Sequence, residues 1–371
     1  MAIDKVVSAS ITDSAVTDAK LSFNSNQFRN IIINGDMSQA QRGTTAISSS
    51  DNIYGATDRF KHQNDSGGAT SITQDTDTPT AQGFSSSMKI DVTTADASLA
   101  ASDMYRIQHR IEGQNLQYLK KGTASAESLT LSFWVKSPKT GTHIVNIFDN
   151  DNSRSIAKSY TISSADTWEK KTITFAGDTT GALDNDNAGS LYIYWYLCAG
   201  ANFTSGTLAT SWESNTNANL AVGQVNCLDN TANNFYITGV QLEVGSAASD
   251  FEFLPVDVNL QRCLRYYELL ASGDNQVLFD AFYYTATEIR HVVHPKVSMR
   301  ANPTLDQTSG TDYYRFIRDA ANDKFEDFSL DISTPTAVEF FNSTDMSGTQ
   351  GESGWVRTDV SSSFIALDAE L

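Results

Sequence analysis

Residues 191–197 read LYIYWYL, a run whose only polar atoms are tyrosine hydroxyls and one indole nitrogen. As a strand it places Leu191, Ile193, Trp195 and Leu197 on one face and Tyr192, Tyr194 and Tyr196 on the other, because successive side chains alternate. Such a strand has to be covered on both faces, unless the tyrosine face is left open as a binding platform. That single demand points to layered β-structure.

The surrounding sequence agrees. Leu129, Leu131, Phe133 and Val135 alternate with Thr130, Ser132, Trp134 and Lys136, which predicts a two-faced strand. Residues 143–148, 170–175 and 235–244 are further strand candidates. Turn clusters separate them, as in Ser66-Gly67-Gly68, Asp184-Asn185-Asp186-Asn187 and Ser205-Gly206. With 40% hydrophobic residues and abundant Ser, Thr, Asn and Asp, the 371-residue chain suits many short strands joined by polar turns. The expected class is all-β, a jelly-roll-type β-sandwich over residues 28–256.

The two ends differ from this middle. In residues 1–27 the apolar positions Val6, Ile11, Val16 and Leu21 recur every five residues, which is neither the helical nor the strand period. A lone segment of this kind cannot bury enough surface to fold. It reads as an extended arm that becomes ordered against partners. After Asp257, a candidate N-cap, Leu260, Cys263, Leu264, Tyr267 and Leu270 fall at helical spacing. Strand candidates then resume at 276–284, 288–297, 313–317, 337–341 and 364–367. Residues 257–371 therefore read as one helix and a smaller β-rich C-terminal domain. They could equally supply strands that complete the first sandwich.

Charge and cysteine usage exclude several function classes. With 26 Lys and Arg against 44 Asp and Glu the formal charge is −18, a field that repels phosphate backbones, so nucleic acid is not an expected partner. The three cysteines are widely spaced and match neither a disulfide framework nor a zinc motif, so free, buried thiols are expected. No run approaches the roughly 18 apolar residues that a membrane helix needs. Met1 is not followed by the apolar region of a signal peptide, so synthesis in a cytoplasm is expected.

Several longer words carry a resemblance. Residues 30–37 (NIIINGDM), Gln41-Arg42-Gly43, 56–60 (ATDRF), 108–113 (QHRIEG), 129–137 (LTLSFWVKS) and 237–245 (ITGVQLEVG) stand in order. They are followed by Phe251-Glu252, 261–267 (QRCLRYY), 299–304 (MRANPT) and 367–371 (LDAEL). This series, over roughly residues 28–371, resembles a module of bacteriophage tail fibres and related appendages. The resemblance implies a jelly roll like that of carbohydrate-binding modules, a homotrimer, and an N-terminal arm that attaches to other phage tail proteins. It implies a virion location on the tail and a host-surface glycan or envelope receptor as ligand. The acidic surface resembles that of a marine, cyanophage-like virus. The resemblance supplies no catalytic residues. The words also make physical sense alone: Asn34-Gly35-Asp36 and Arg42-Gly43 are turn chemistry, with Gly allowing positive φ. Asp58 beside Arg59, and Arg110 near Glu112, are candidate ion pairs.

Catalytic and metal motifs are scarce. His291 and His294 stand three apart, which on a strand sends them to opposite faces. A glycosidase needs two carboxyl groups roughly 5–10 Å apart, and 44 acids single out no pair. The turns at 149–152 and 184–187 (both DNDN) could offer oxygens to a structural calcium, although neither completes an EF-hand pattern. No other cofactor is expected, and no enzymatic activity.

Sugars are held by aromatic faces flanked by amides and carboxylates. Tyr192, Tyr194 and Tyr196, with Trp134 and Trp212, are the candidate glycan-binding residues. The same aromatics also suit an interface between sheets or subunits. Three readings follow: a tail fibre that recognises the host, a structural tail adaptor or decoration protein without a host ligand, and a polysaccharide-degrading tailspike. The third usually shows a long series of β-helix rungs, and no repeat of 20–30 residues is present here.

Overall fold

Alternation decides which way each strand faces, and it does so throughout residues 47–244. The computed structural model describes residues 28–44, 47–49 (backbone only), 52–319 and 321–371. The arm positions Val6, Ile11, Val16 and Leu21 lie outside them. Thirteen strands occur in this stretch of the described residues. They are β1 (Ile47–Ser49), β2 (Ile53–Tyr54), β3 (Phe60–Asn64), β4 (Ala69–Asp75), β5 (Ser87–Thr94), β6 (Met104–Glu112) and β7 (Leu129–Lys136). Then come β8 (Gly141–Asp149), β9 (Arg154–Ile162), β10 (Glu169–Phe175), β11 (Gly189–Ala199), β12 (Glu213–Ser214) and β13 (Asn234–Val244).

They form two antiparallel sheets, ordered β1-β4-β5-β13-β7-β10 and β12-β9-β8-β11-β6-β3-β2. One apolar core joins them, with Leu131, Phe133 and Val135 of β7 facing Ile107 of β6 and Ile193 and Trp195 of β11. Phe133 meets Trp195 edge-on at 6.1 Å, and each such buried side chain contributes about 1.5–3 kcal/mol through area removed from water. The molecule is all-β, with a jelly-roll-type sandwich at its centre.

β11 is covered on both faces. Its Leu191, Ile193, Trp195 and Leu197 enter the main core. Its tyrosines join a second cluster with Leu220, Ala209 and Phe203 from the connection after β11, which carries the short helix α1 (Ala201–Thr204).

Asn34 holds the first turn in a left-handed conformation (φ 61°), with its amide bonded to the backbone of Gln39 and Asp58. Gly35 serves by having no side chain rather than through a positive φ. A Cβ there would stand 2.0 Å from the Val240 carbonyl oxygen. The left-handed glycine of these two turns is Gly43 (φ 100°).

α2 (Val256–Leu264) starts two residues earlier than the candidate N-cap Asp257 suggests, with Pro255 at its N-cap and Asp257 in its first turn. It also ends sooner. Tyr267 and Leu270 belong to a strand, β14 (Tyr267–Ser272). Tertiary bonds override the helical spacing: Arg265 and Tyr266 are both tied to Glu112, and Tyr267 pairs with Asp368. No helix among the described residues is long and apolar enough to cross a membrane.

Beyond β14 the strands are β15 (Val277–Thr285), β16 (Glu288–Val293), β17 (Thr304–Gln307), β18 (Tyr314–Arg318), β19 (Ala321–Phe325), β20 (Ser329–Thr334), β21 (Ala337–Asn342), β22 (Ser353–Thr358) and β23 (Phe364–Asp368). They form sheets of their own, β14-β23-β17 and β19-β18-β22-β15-β16-β21-β20. Tyr283, Phe316, Phe340, Val356 and Leu367 lead a separate core between them.

The expected ion pairs exchange partners. Arg59, almost fully buried, pairs with Glu370 and not with Asp58, whose carboxylate accepts from the Gln41 backbone and side chain at 2.9 and 2.8 Å. Glu112 takes Arg265 in a bidentate bond (2.8 and 2.7 Å), while Arg110 donates to Gln108 and to the Leu371 carbonyl. Pairs read from neighbouring letters fail here because residues distant in sequence reach these groups first: Gln41 takes Asp58, Glu370 takes Arg59, and Arg265 takes Glu112. Two of these contacts, Arg59–Glu370 and Arg110–Leu371, tie residues 370 and 371 to the sandwich, and Glu112–Arg265 ties the end of α2 to it.

Candidate functional site

On the outer face of the second sheet β6, β11 and β8 lie side by side and bring aromatic, amide and guanidinium side chains together. Register sets it out: Tyr192 stands between Arg110 and Phe148, and Tyr194 between Gln108 and Asn146. Phe148 lies nearly parallel to Tyr194 (19°, centroids 6.1 Å apart) and 6.0 Å from Tyr192. The Arg106 guanidinium lies 3.8 Å from the Tyr194 ring centroid, and Arg110 4.8 Å from that of Tyr192. Such stacking holds a cation over a π-face and fixes both side chains.

A ladder of amides orders the guanidiniums. Gln63 Oε1 accepts from Arg106 Nε (3.0 Å), Arg106 Nη2 (2.8 Å) and Gln108 Nε2 (2.7 Å). Gln108 Oε1 in turn accepts from Arg110. Over this face opens a depression of about 240 Å³, lined among others by Arg106, Phe148, Tyr194, Phe203, Asn215 and Asn217. No carboxylate lines it. Beside it, opposite Tyr194, Asn146 is fully buried with neither amide atom bonded. An unpaired buried amide costs about 1–3 kcal/mol, so it is an unusual feature to find on this face. Burial pushes the Tyr194 and Tyr196 hydroxyls above the ordinary tyrosine range, so both stay neutral donors.

The five aromatics expected from the sequence are not brought together. Tyr192 is half-buried at the rim, whereas Tyr194 is 4% exposed and Tyr196 fully buried under the connection after β11. Trp134 is half-buried on the outer face of the other sheet. Trp212 donates to the Ala176 carbonyl and lies under the Lys121 ammonium. Sequence reasoning missed Phe148, Arg106 and Gln63. Phe148 carried a usable signal, being the aromatic out of phase with Val145 and Ile147 in its own strand. Arg106 and Gln63 carried none, since their role depends on each other across 43 residues.

The acidic turn at 149–152 is filled from within the protein. Lys121 places its ammonium against Asp149 and Asp178 (2.9 Å to the latter) and the Gly181 carbonyl (2.8 Å). Arg154 and hydrogen bonding from Lys121 hold the Asp178 carboxyl below its usual range, against the opposing effect of burial, which is the largest. No group of three or more metal-ligating side chains is found among the described residues. His291 stacks flat on Phe279 at 4.2 Å, and His294 bonds the Thr336 carbonyl. The cysteines Cys198, Cys227 and Cys263 are free and buried.

No protein-family model matches the sequence, and no curated protein matches it. Among solved structures the chain is similar to the enzymatically active domain of tailspike protein 4 of bacteriophage CBA120 (11% identity, 58% of this chain, TM-score 0.31). It spans only 22% of that tailspike chain. It is also similar to a putative sugar binding protein from Bacteroides thetaiotaomicron (14% identity, 58% of this chain and 100% of that one, TM-score 0.32). A third is a family 11 carbohydrate-binding module from Clostridium thermocellum (12% identity, 56% and 98%, TM-score 0.28). At these scores no activity, ligand or site residue transfers to this chain.

Proposed function

We propose that the protein is a non-catalytic tail-fibre component of a bacteriophage, assembled as a homotrimer, that recognises host-surface glycan through the outer face of its second sheet. The observation that carries the binding half is the depression beside Tyr192. It offers the half-buried Phe148 ring with Tyr192 at its side, guanidinium and amide groups from Arg106, Asn215 and Asn217, and no carboxylate. Ring faces take the apolar side of a sugar and the amides take its hydroxyls, while hydrolysis would require a pair of acids. The virion half is supported by the ordered words that resemble phage appendage modules.

The binding half is tested by adsorption competition. Purified protein should block adsorption of the phage to its host, and Phe148→Ala or Tyr192→Ala should weaken that block tenfold or more, read at a temperature at which each variant is still folded by circular dichroism. Undiminished blocking by both variants would remove the platform. A wild-type protein that never blocks adsorption would favour the adaptor reading, and shortened host polysaccharide after incubation would favour the tailspike. The virion half has its own test. Deleting residues 1–25 should leave a folded body that no longer joins the particle, and particles that still carry it would overturn attachment through the arm.

A further inference from the structure

A second cavity lies elsewhere, where α2 meets β6 and the turns that follow it. It measures about 500 Å³, within the range of small-molecule sites, and shares no lining residue with the depression on the outer face. Three guanidiniums line it: Arg110, Arg262 and Arg265. Two are engaged, Arg265 on Glu112 and Arg110 on Gln108 and Leu371. Arg262 makes one hydrogen bond, to the Asn30 carbonyl at 3.3 Å, and no ion pair among the described residues. The carboxylate whose field reaches it, Glu252, is bonded to the Asn30 amide instead.

His109 lines the same cavity and is fully buried. Its Nε2 accepts from the Ile33 backbone N–H at 3.3 Å, which assigns the proton to Nδ1, and Nδ1 has no partner. Burial, with Arg59 and Arg262 nearby, keeps the ring neutral. The cavity therefore holds a guanidinium with spare donors, Arg262, beside a fully buried neutral imidazole that brings no competing charge.

We propose that this cavity binds the carboxylate of an acidic sugar. A guanidinium fork matches a planar carboxylate through two parallel bonds, and in a partly buried site that pairing is strong. At the mouth, the Tyr118 ring is 51% exposed and offers an apolar face to a pyranose. The exposed amides of Gln114 and Asn115 on the adjoining turn suit its hydroxyls. Inorganic phosphate would satisfy the charge but not the ring or the amides, which distinguishes a sugar acid from a simple anion.

Calorimetric titration of the full chain with glucuronate, glucose and inorganic phosphate tests this. Glucuronate should bind at least tenfold more tightly than either of the others. Arg262→Gln should lower its affinity tenfold or more, and Arg262→Lys, which keeps the charge and loses the fork, should lower it several-fold. Tyr118→Ala, at an exposed rim position, should weaken binding several-fold with unchanged melting, so the proposal stays testable even if the Arg262 variants fold poorly. Glucose or phosphate binding as tightly as glucuronate would overturn it, as would full affinity in Arg262→Gln or in Tyr118→Ala. Glucuronate binding should persist in Phe148→Ala, so this site and the outer-face platform can fail separately.

Discussion

Lowering the pH from 7 to 5 is expected to remove about 4 to 6 kcal/mol of folding free energy, because three imidazoles are locked away neutral. His62, His109 and His143 are all fully buried in the sandwich. His62 shares a hydrogen bond with Tyr105 (2.9 Å), and His143 lies over Tyr160 with its centroid 5.4 Å away. Burial pulls His62 down to about 3, His143 to about 4, and His109 well below the ordinary histidine value. A folded pKa below the unfolded one means that the unfolded chain takes up protons near pH 6.5 which the native state refuses. The stabilising contribution is thus fully present above about pH 6.5 and is lost as the pH falls towards the folded values.

Each site contributes about 1.4 kcal/mol per pH unit once the unfolded imidazoles are charged, so three over about 1.5 units give roughly 6 kcal/mol. Asp58 and Glu370, whose carboxyls burial pushes up, act in the opposite sense and subtract from this. Urea unfolding followed by circular dichroism at pH 7, 6 and 5 reads the slope. His62→Gln should flatten it by about a third. Equal midpoints at pH 7 and pH 5 would show that the imidazoles are not held neutral.

What could be read beforehand follows from where each signal resides. β7, β11 and β13 declare themselves because their cores are built from apolar residues at every second position, and the double-faced run in β11 even announces that something must cover its tyrosines. β6 does not. Arg106, Gln108, His109, Arg110 and Glu112 read as a surface segment, yet Gln108, His109 and Glu112 are fully buried. Gln108, His109 Nε2 and Glu112 are bonded by residues distant in sequence, Gln63, Ile33 and Arg265, and a local pattern cannot contain such partners. The helix after Pro255 overruns in the sequence reading for a related reason, since Tyr267 keeps helical spacing while its backbone is claimed by β23. The glycan candidates show the same division. Tyrosine identity was legible at 192, 194 and 196, but which ring stays open depends on how residues 200–221 lie across the sheet.

The acidic turn at 149–152 leads to the second large effect. Its chemistry was legible as a cation seat, but the cation is Lys121, 28 residues from Asp149 and 57 from Asp178. The ammonium has three donors, and Asp149, Asp178 and the Gly181 carbonyl use all three. The Lys121 side chain is 5% exposed and the two carboxylates 0% and 2%. Lys121→Met keeps the length of the chain and removes the charge. Asp178 would retain Arg154 at 2.7 Å, whereas Asp149 would retain only Asn152. Leaving a buried carboxylate without its cation costs about 3–5 kcal/mol. In a domain of this size that lowers the melting temperature by roughly 6–20 °C. Adding Asp149→Asn to Lys121→Met should recover part of the loss, because the second change removes the stranded charge. A chelator should leave the wild-type melting curve unchanged, since the ammonium occupies the place a divalent ion would take. If Lys121→Met melts within 2 °C of wild type, about the shift of half a kcal/mol to one, the ammonium is not what holds this turn.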